Sequence, residues 1–414
     1  MKLSTAHLCR KGMGKIMVIK KIMVENFRNI KYAELDFCSS VNILYGNNAQ
    51  GKTNMLEAIS IALGKSFRNI SRNDILPFGN KQCKTKINLF YESEIIPDKI
   101  NEIQFECDSE KSEVKINSIP LKKAADLYGE FKYVIFIPDN LNLIKGYPET
   151  RRFYLDNIAV MQNKAHRKFQ NEYKEALKQR CAAHFSKQYR RIPEMTSVWD
   201  DILIKQGINL TYGRLKYLSL IRDYVVKIYR ELSGGEELGV HYVSNVFGNI
   251  SEINSNNKDN LYGVYKRSLN EVTCEGHSAK TPGAHRDDVL FTIGYNNEKK
   301  KKNEHSLEHS LGIKKSMSAR SYGSQGQLRS IAVSLKLAEA EIIRSFNREN
   351  PVILLDEVLG ELDRLRRQFV AEQFVNSQVF ITSCNKNDFE SISNINDNIR
   401  IWRVDNGAFE LFRA

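Results

Sequence analysis

The sequence predicts an α/β fold built on a phosphate-binding loop: a mixed sheet, further antiparallel strands, an inserted helical lobe and no long coiled coil. Three stretches predict it. Gly46-Asn47-Asn48-Ala49-Gln50-Gly51-Lys52-Thr53 stands between an apolar run, 41–45, and a helix-like segment, 54–63. Pro351-Val352-Ile353-Leu354-Leu355-Asp356-Glu357 reads as a buried strand ending on two adjacent acids. Between them, from 149 to about 232, turn residues are scarce. Apolar side chains there (Phe153, Ile158, Ile202, Ile208, Leu215, Leu218, Ile221, Val225, Ile228) recur at helical spacing, without a heptad run long enough for an extended coiled coil.

A chain of 414 residues can bury a core and hold two or three domains. Its composition, 42% hydrophobic and 27% charged, is that of a globular protein, and no apolar run reaches the ~20 residues needed to span a bilayer. The expectation is that no membrane is involved. Seven cysteines (9, 38, 83, 107, 181, 274, 384) are scattered without a Cys-x-x-Cys pair, which points away from a zinc site and toward a reduced cytoplasm. A net charge of +13 implies a polyanionic partner, by default nucleic acid. Part of that excess lies in residues 1–16 (Lys2, Arg10, Lys11, Lys15) and in the run Lys299–Lys302, so a generally basic background is the alternative.

Residues 1–16 carry no long apolar core and no clear cleavage site, and read as a disordered tail or a misassigned start, with Met17 as another beginning. Residues 18–27 suggest a first strand and 33–37 a second. The phosphate loop follows. Its order is physical: a strand delivers the chain, Gly46 and Gly51 let the N–H groups of Gly46, Asn47, Asn48, Ala49, Gln50 and Gly51 turn inward on phosphates, and Lys52 neutralises the terminal ones. Thr53 offers a hydroxyl to Mg²⁺, and the following helix points its positive end at the anion. The alternative is a glycine-rich turn that happens to match.

The segment 63–75 and the alternating stretches 86–92, 102–107 and 113–116 suggest antiparallel strands. Residues 133–137, closed by Pro138, read as another buried strand. After the helical lobe, 249–260 is Asn/Ser-rich and loop-like, 261–269 resumes a helix, and 289–294 is a strand leading into a Lys/Asn/His/Ser-biased stretch, 296–320. That stretch reads as mobile, either a basic arm on nucleic acid or a solvated hairpin tip.

In Ser321-Tyr322-Gly323-Ser324-Gln325-Gly326-Gln327-Leu328-Arg329, small residues precede an amphipathic helix, making a second anion-binding amino end with Ser324 available to a phosphate. At 356–357 the turn after the strand re-aims one acid relative to the other. Asp356 is the expected Mg²⁺ partner, directly or through water, and Glu357 the general base for attack on a γ-phosphate. Two decoys compete. Leu232-Ser233-Gly234-Gly235-Glu236 looks like a phosphate-sensing signature but lies far before the acids, and reads as a turn closing the helical lobe. Asn385-Lys386-Asn387-Asp388 matches a guanine-reading motif, so a GTPase switch is one alternative. A nucleotide-bound DNA clamp that does not hydrolyse is another.

Phosphate loop, Ser324-x-Gly326-Gln327 with Arg329 in register, the Asp-Glu strand end and Glu361-Leu362-Asp363 occur in the order of the ABC-type ATPases of the SMC/Rad50/RecF group, which the chain resembles. Within that group Glu25-Asn26-Phe27-Arg28-Asn29, Ser66-Phe67-Arg68, Lys145-Gly146-Tyr147-Pro148, Arg151-Arg152-Phe153-Tyr154-Leu155-Asp156 and Gly283-Ala284-His285-Arg286-Asp287-Asp288 are similar to the RecF family. The resemblance covers Val18 to about Ser383 and implies an ABC-type P-loop ATPase head acting in DNA repair. It implies two ATP molecules between two protomers, each held by one phosphate loop and capped by the other protomer's Ser324, Gly326 and Gln327, with Glu361 and Asp363 at the seam. ATP would close the homodimer on double-stranded or gapped DNA, single-stranded DNA also being an option. Weak, DNA-stimulated hydrolysis would release it, and RecR and RecO would be partners in loading recombinase at gaps. Gly360 departs from the Ser or Ala usual there, and Thr382-Ser383-Cys384-Asn385 offers no switch histidine.

The expected organisation is a tail, 1–16; the first part of the ATPase lobe, 17–138; a helical insertion, 139–270; and the rest of the ATPase lobe with signature and Walker B strand, 271–414.

Overall fold

The computed structural model describes residues 15–64, 71–77, 83–93, 96–121, 127, 131–185, 193–250, 253, 258–271, 281–294, 316–347, 349–374, 376–385 and 398–413. In chain order the strands and helices begin with β1 (Lys15–Phe27), β2 (Ile30–Asp36), β3 (Val41–Tyr45), α1 (Lys52–Ala62), α2 (Arg72–Ile75), β4 (Thr85–Ser93), β5 (Ile96–Cys107), β6 (Ser112–Ile116), β7 (Ile119–Pro120) and β8 (Tyr133–Phe136). There follow α3 (Asn142–Lys145), α4 (Pro148–Gln162), α5 (Ala165–Phe185), α6 (Pro193–Ser233), β9 (Glu237–Val243), α7 (Lys258–Glu271), β10 (Asp288–Gly294), β11 (Ser316–Ser318), α8 (Ala319–Tyr322) and α9 (Gln325–Asn347). The chain closes with β12 (Glu349–Asn350), β13 (Val352–Asp356), α10 (Arg364–Glu372), β14 (Val379–Ser383), β15 (Ile399–Asp405) and β16 (Ala408–Arg413). It divides into two compact units, one up to Pro138 together with Glu339 onward, the other Asp139–Ala338.

In the first unit a six-stranded sheet runs β16-β15-β3-β14-β13-β8. All its pairs are parallel except β15 with β16. Every residue of β13 and β14 is buried, as both faces of a parallel sheet require. A second, largely antiparallel sheet runs β12-β1-β4-β5-β6-β7, with β2 also on β1. Helix α1 is buried in one core with both sheets: Met55, Leu56 and Ile59 share it with Ile22 and Val24 of β1, Leu89 of β4, Leu44 of β3, Leu354 of β13 and Phe380 of β14. Each such aliphatic side chain contributes about 1.5–3 kcal/mol by leaving water, which fixes the amino end of α1 at the carboxyl end of β3.

The second unit holds α4, α5 and α6 with the antiparallel sheet β11-β10-β9. Its interior is partly ionic. Arg214 donates from Nε and Nη2 to Asp156 at 2.7 and 2.8 Å, and His166 Nε2 lies 2.9 Å from the same carboxylate. Burial opposes ionisation, yet Arg214 and His166 hold the Asp156 carboxyl well below its usual range. Arg151 grips Asp288 through Nε (2.6 Å) and Nη2 (3.0 Å), and its Nη1 donates to the Gly146 carbonyl (3.0 Å). Asp287, fully buried, accepts from Tyr242 Oη (2.5 Å) and the Asn245 N–H (2.7 Å). The Arg151–Asp156 and Gly283–Asp288 motifs are thus the two halves of one buried scaffold.

Several expectations change. Residues 72–75 form α2 instead of a strand, because its N-cap Ser71 and Asp74 make a reciprocal capping box. Helix α7 begins at Lys258, three residues inside the expected loop. Strands β7, β9, β11, β12, β15 and β16 stand where the sequence predicts none, and β11 with the start of α8 orders the end of the 296–320 stretch that reads as mobile. Pairing of β10 with β9 places 281–294 and 316–338 in the helical unit, whereas the sequence predicts them in the ATPase lobe. The Leu232–Glu236 decoy is a turn as expected: Gly234 and Gly235 have φ of 75° and 109°, and the Gly235 N–H closes on the Arg230 carbonyl at 2.8 Å. Most of the 1–16 tail, the Ser66-Phe67-Arg68 motif, 296–315 and Lys386-Asn387-Asp388 lie outside the described residues.

Candidate nucleotide site

Strand β3 delivers the chain to the loop with Gly46 N–H on the Ser383 carbonyl (3.3 Å). A Cβ at Gly46 would stand 2.2 Å from the Val404 carbonyl oxygen, so only glycine fits. Gly51, at φ 113°, turns the chain into α1, and Ala49 shares the left-handed conformation at φ 64°. Lys52 is 3% exposed. Its ammonium donates to the carbonyls of Gly46 and Asn47, both at 2.8 Å, and lies 3.2 Å from Glu357 Oε1. A buried cation is therefore stationed under the loop with all its donors engaged.

The parallel register of β13 and β14 sets Asp356 beside Thr382. Asp356 Oδ1 accepts from Thr53 Oγ1 (2.7 Å) and from Thr382 Oγ1 (2.8 Å). Thr382 Oγ1 in turn accepts the Glu357 N–H at 2.9 Å. Glu357 has φ 54°, unusual for a residue with a side chain, and this left-handed turn is what re-aims its carboxylate relative to Asp356. Among the described residues no cluster of three or more His, Cys, Asp or Glu could hold a metal ion. Thr53 hydroxyl and Asp356 carboxylate are hard oxygen donors, the set Mg²⁺ takes when its other ligands are phosphate and water.

Behind the loop, the β1–β2 hairpin carries Arg28 (φ 53°) and Asn29. Asn29 Nδ2 donates to the Gln50 carbonyl (3.1 Å), and its Oδ1 accepts from Asn54 Nδ2 (2.8 Å). The Gln50 carbonyl also accepts the Gly407 N–H at 2.8 Å, while Gln50 Oε1 accepts the Asn406 N–H at 2.6 Å. Arg28 reaches Asn54 Oδ1 (2.9 Å) and pairs with the buried Glu57 at 2.7 Å. These side chains hold the loop's back wall. Arg28 and Asn29 stand in the Glu25–Asn29 motif, whose spacing does not say what they touch.

The structure thus brings together Lys52, Thr53, Asp356 and Glu357, with Thr382 as the residue not assigned a role beforehand. Ser324, Gly326 and Gln327 belong to the second unit. There Ser324 and Gln327 cap the amino end of α9 reciprocally: the Gln327 N–H meets Ser324 Oγ at 3.2 Å, and the Ser324 N–H meets Gln327 Oε1 at 2.8 Å. Gln327 Nε2 donates to both oxygens of Glu236, at 3.1 and 3.0 Å. Asp363 caps α10 through the Arg366 N–H (3.0 Å), and Glu361 ends a single 3-10 turn, Leu359–Glu361. Among the described residues no helix is long and apolar enough to cross a membrane.

The family model described as RecF/RecN/SMC N terminal domain matches residues 18–410. A protein named DNA replication and repair protein RecF from Clostridium acetobutylicum is 35% identical over 94% of this chain and 99% of its own length. Its namesake from Acetivibrio thermocellus is 34% identical over 94% and 99%. Among solved structures, the recombination mediator protein RecF of the RecFOR pathway with ATP superposes at a TM-score of 0.78 and 28% identity, covering 96% of this chain and 99% of that one. An Smc head domain from Pyrococcus furiosus, 13% identical, superposes at 0.52 over 95% and 96%, a likeness of fold alone.

Proposed function

This chain belongs to the RecF family of DNA replication and repair proteins, and we propose that it is an ATP-dependent DNA-binding protein of recombinational repair and replication-fork maintenance, dimerising on DNA when ATP binds. The carrying observation is the convergence of Thr53, Asp356, Thr382 and Glu357 beside the buried Lys52. The loop N–H groups and Lys52 bind the nucleotide's phosphates. Thr53 and Asp356 would hold Mg²⁺, which supplies charge neutralisation at the phosphates. Glu357, released from Lys52, takes the proton of the attacking water. Ser324, Gly326 and Gln327 of a second copy complete the site, and slow hydrolysis separates the two. The RecF structure bearing ATP supports adenosine triphosphate as the nucleotide, and its place in the RecFOR pathway supports RecR and RecO as partners in loading recombinase at gaps. The cytoplasm is the compartment this work requires.

The excess of basic residues supports DNA as the polyanion. No residue pattern reads base edges, so binding follows shape and backbone, and its affinity falls steeply as salt rises. Sedimentation of the full chain with ATP, ADP or GTP, with and without gapped, duplex and single-stranded DNA, tests the reading. ATP-specific dimerisation is expected. An unchanged monomer under every condition overturns it, and a GTP-specific response would favour the Asn385–Asp388 alternative.

A further inference from the structure

We propose that Glu236 is a positioning residue that latches the signature shut, keeping the amino end of α9 closed to a phosphate until nucleotide displaces Gln327. The inference rests on the reading that Ser324 receives the γ-phosphate of a nucleotide held by a second copy.

The contacts are local to the second unit. At the amino end of α9, the Ser324 N–H would be one of the donors offered to an anion. That N–H is already taken by Gln327 Oε1 at 2.8 Å. The half-buried Gln327 amide is held from swinging away, because its Nε2 is tethered to both carboxylate oxygens of Glu236 at 3.1 and 3.0 Å. Glu236 is itself fixed. Tyr229 Oη donates to its Oε2 at 2.7 Å, Ser233 Oγ accepts its N–H at 3.1 Å, and the left-handed Gly234 and Gly235 set the turn that presents it.

Two effects oppose an incoming phosphate. Its oxygen must replace Gln327 Oε1 on the Ser324 N–H, and it must do so one amide group away from a carboxylate of like charge. A glutamine at 236 keeps an acceptor for Gln327 and removes the charge. An alanine removes both. Neither substitution touches the phosphate loop, Lys52, Thr53 or the acid pair. The turn that resembles a signature thus acts on the signature.

The test uses the full chain and titrates ATP while dimerisation is followed by sedimentation. ATP affinity is measured separately by fluorescence at protein concentrations where the chain is monomeric. Glu236→Gln is expected to lower the ATP concentration at half-dimerisation about 3- to 10-fold, and Glu236→Ala at least as much, with monomer affinity unchanged. A midpoint that is unchanged or raised in Glu236→Gln, the near-isosteric variant that carries the test if the alanine variant misfolds, overturns the latch. A melting-temperature change without a midpoint change counts against it in the same way. A wild-type chain that stays monomeric with ATP overturns the underlying reading instead, so the two failures are told apart.

Discussion

Thr382 Oγ1 donates to Asp356 Oδ1 at 2.8 Å while accepting the Glu357 N–H at 2.9 Å, so one hydroxyl on β14 ties together the Asp356 carboxylate and the Glu357 backbone at the end of β13. The hydroxyl has a single proton, and that proton points at the carboxylate. Its lone pair stabilises the left-handed turn at Glu357. Sequence places Thr382 in an apolar strand of its own; only the β13–β14 register makes it part of the site.

Thr382→Val keeps the shape and removes both hydrogen bonds. Hydrogen bonds to charged groups are worth about 1.5–3 kcal/mol, so kcat for ATP hydrolysis should fall about 10- to 100-fold, with ATP affinity changed less than about threefold. Thr382→Ser should restore most of the rate. Steady-state hydrolysis and nucleotide titration check it, and an unaltered kcat would remove Thr382 from the site.

Lys52 and Glu357 are paired at 3.2 Å, yet their substitutions should act in opposite directions. Lys52→Met removes the cation that faces the phosphates, and ATP binding should be lost within the range of a calorimetric titration. Glu357→Gln keeps the shape and removes the base, which typically contributes 10²- to 10⁴-fold to rate. An ATP-bound dimer that persists on DNA is expected, seen as retained DNA after ATP is diluted away. Rapid release by the Glu357→Gln variant would show that hydrolysis does not open the dimer.

Asn29 tests whether the back wall of the loop matters. Asn29→Ala deletes its bonds to the Gln50 carbonyl and Asn54, while the Gly407 N–H still holds that carbonyl. Of the two bonds lost, the one to the Gln50 carbonyl acts on the loop itself, and its loss, about 1 kcal/mol, should weaken ATP binding about three- to tenfold and leave kcat nearly intact. Titration of the variant decides it; wild-type affinity would mean the hairpin only packs.

Elements whose chemistry is local were legible in the sequence. Gly46 to Thr53, the strand ending at Asp356-Glu357 and the capped helix at Ser324 each declare themselves within a dozen residues. What was hidden depends on partners far away in the chain. Thr382 meets Asp356 through strand register, Gln327 meets Glu236 across 91 positions, and Arg151 meets Asp288 across 137. The second unit extends past the expected boundary at 270 for the same reason: β9 follows the helices directly, and its partner β10 comes some fifty residues later, at Asp288. Composition does not change there, so nothing local marked it.

The buried scaffold of the second unit should make stability depend on pH in two separate windows. Burial lowers the His285 pKa to about 4, with Arg152, Arg286 and Arg214 adding to the effect, while Tyr173, whose own pKa burial raises to about 12, keeps its proton and bonds His285 Nδ1 at 2.7 Å. The unfolded chain would titrate this histidine near its ordinary value of about 6.5. Folded His285 stays neutral where the unfolded form takes a proton, so its contribution is full above about pH 6.5 and is lost as pH falls toward 4, by about 3 kcal/mol in all. Asp156, also held low in the folded state, gives the same sign but acts only below about pH 4, where its carboxyl begins to protonate in the unfolded chain. Thermal unfolding of the wild-type chain and His285→Gln between pH 7.5 and 4.5 separates the two. The wild-type midpoint should drop more steeply through this range, whereas parallel curves would mean that His285 titrates normally and that the scaffold draws its pH dependence from elsewhere.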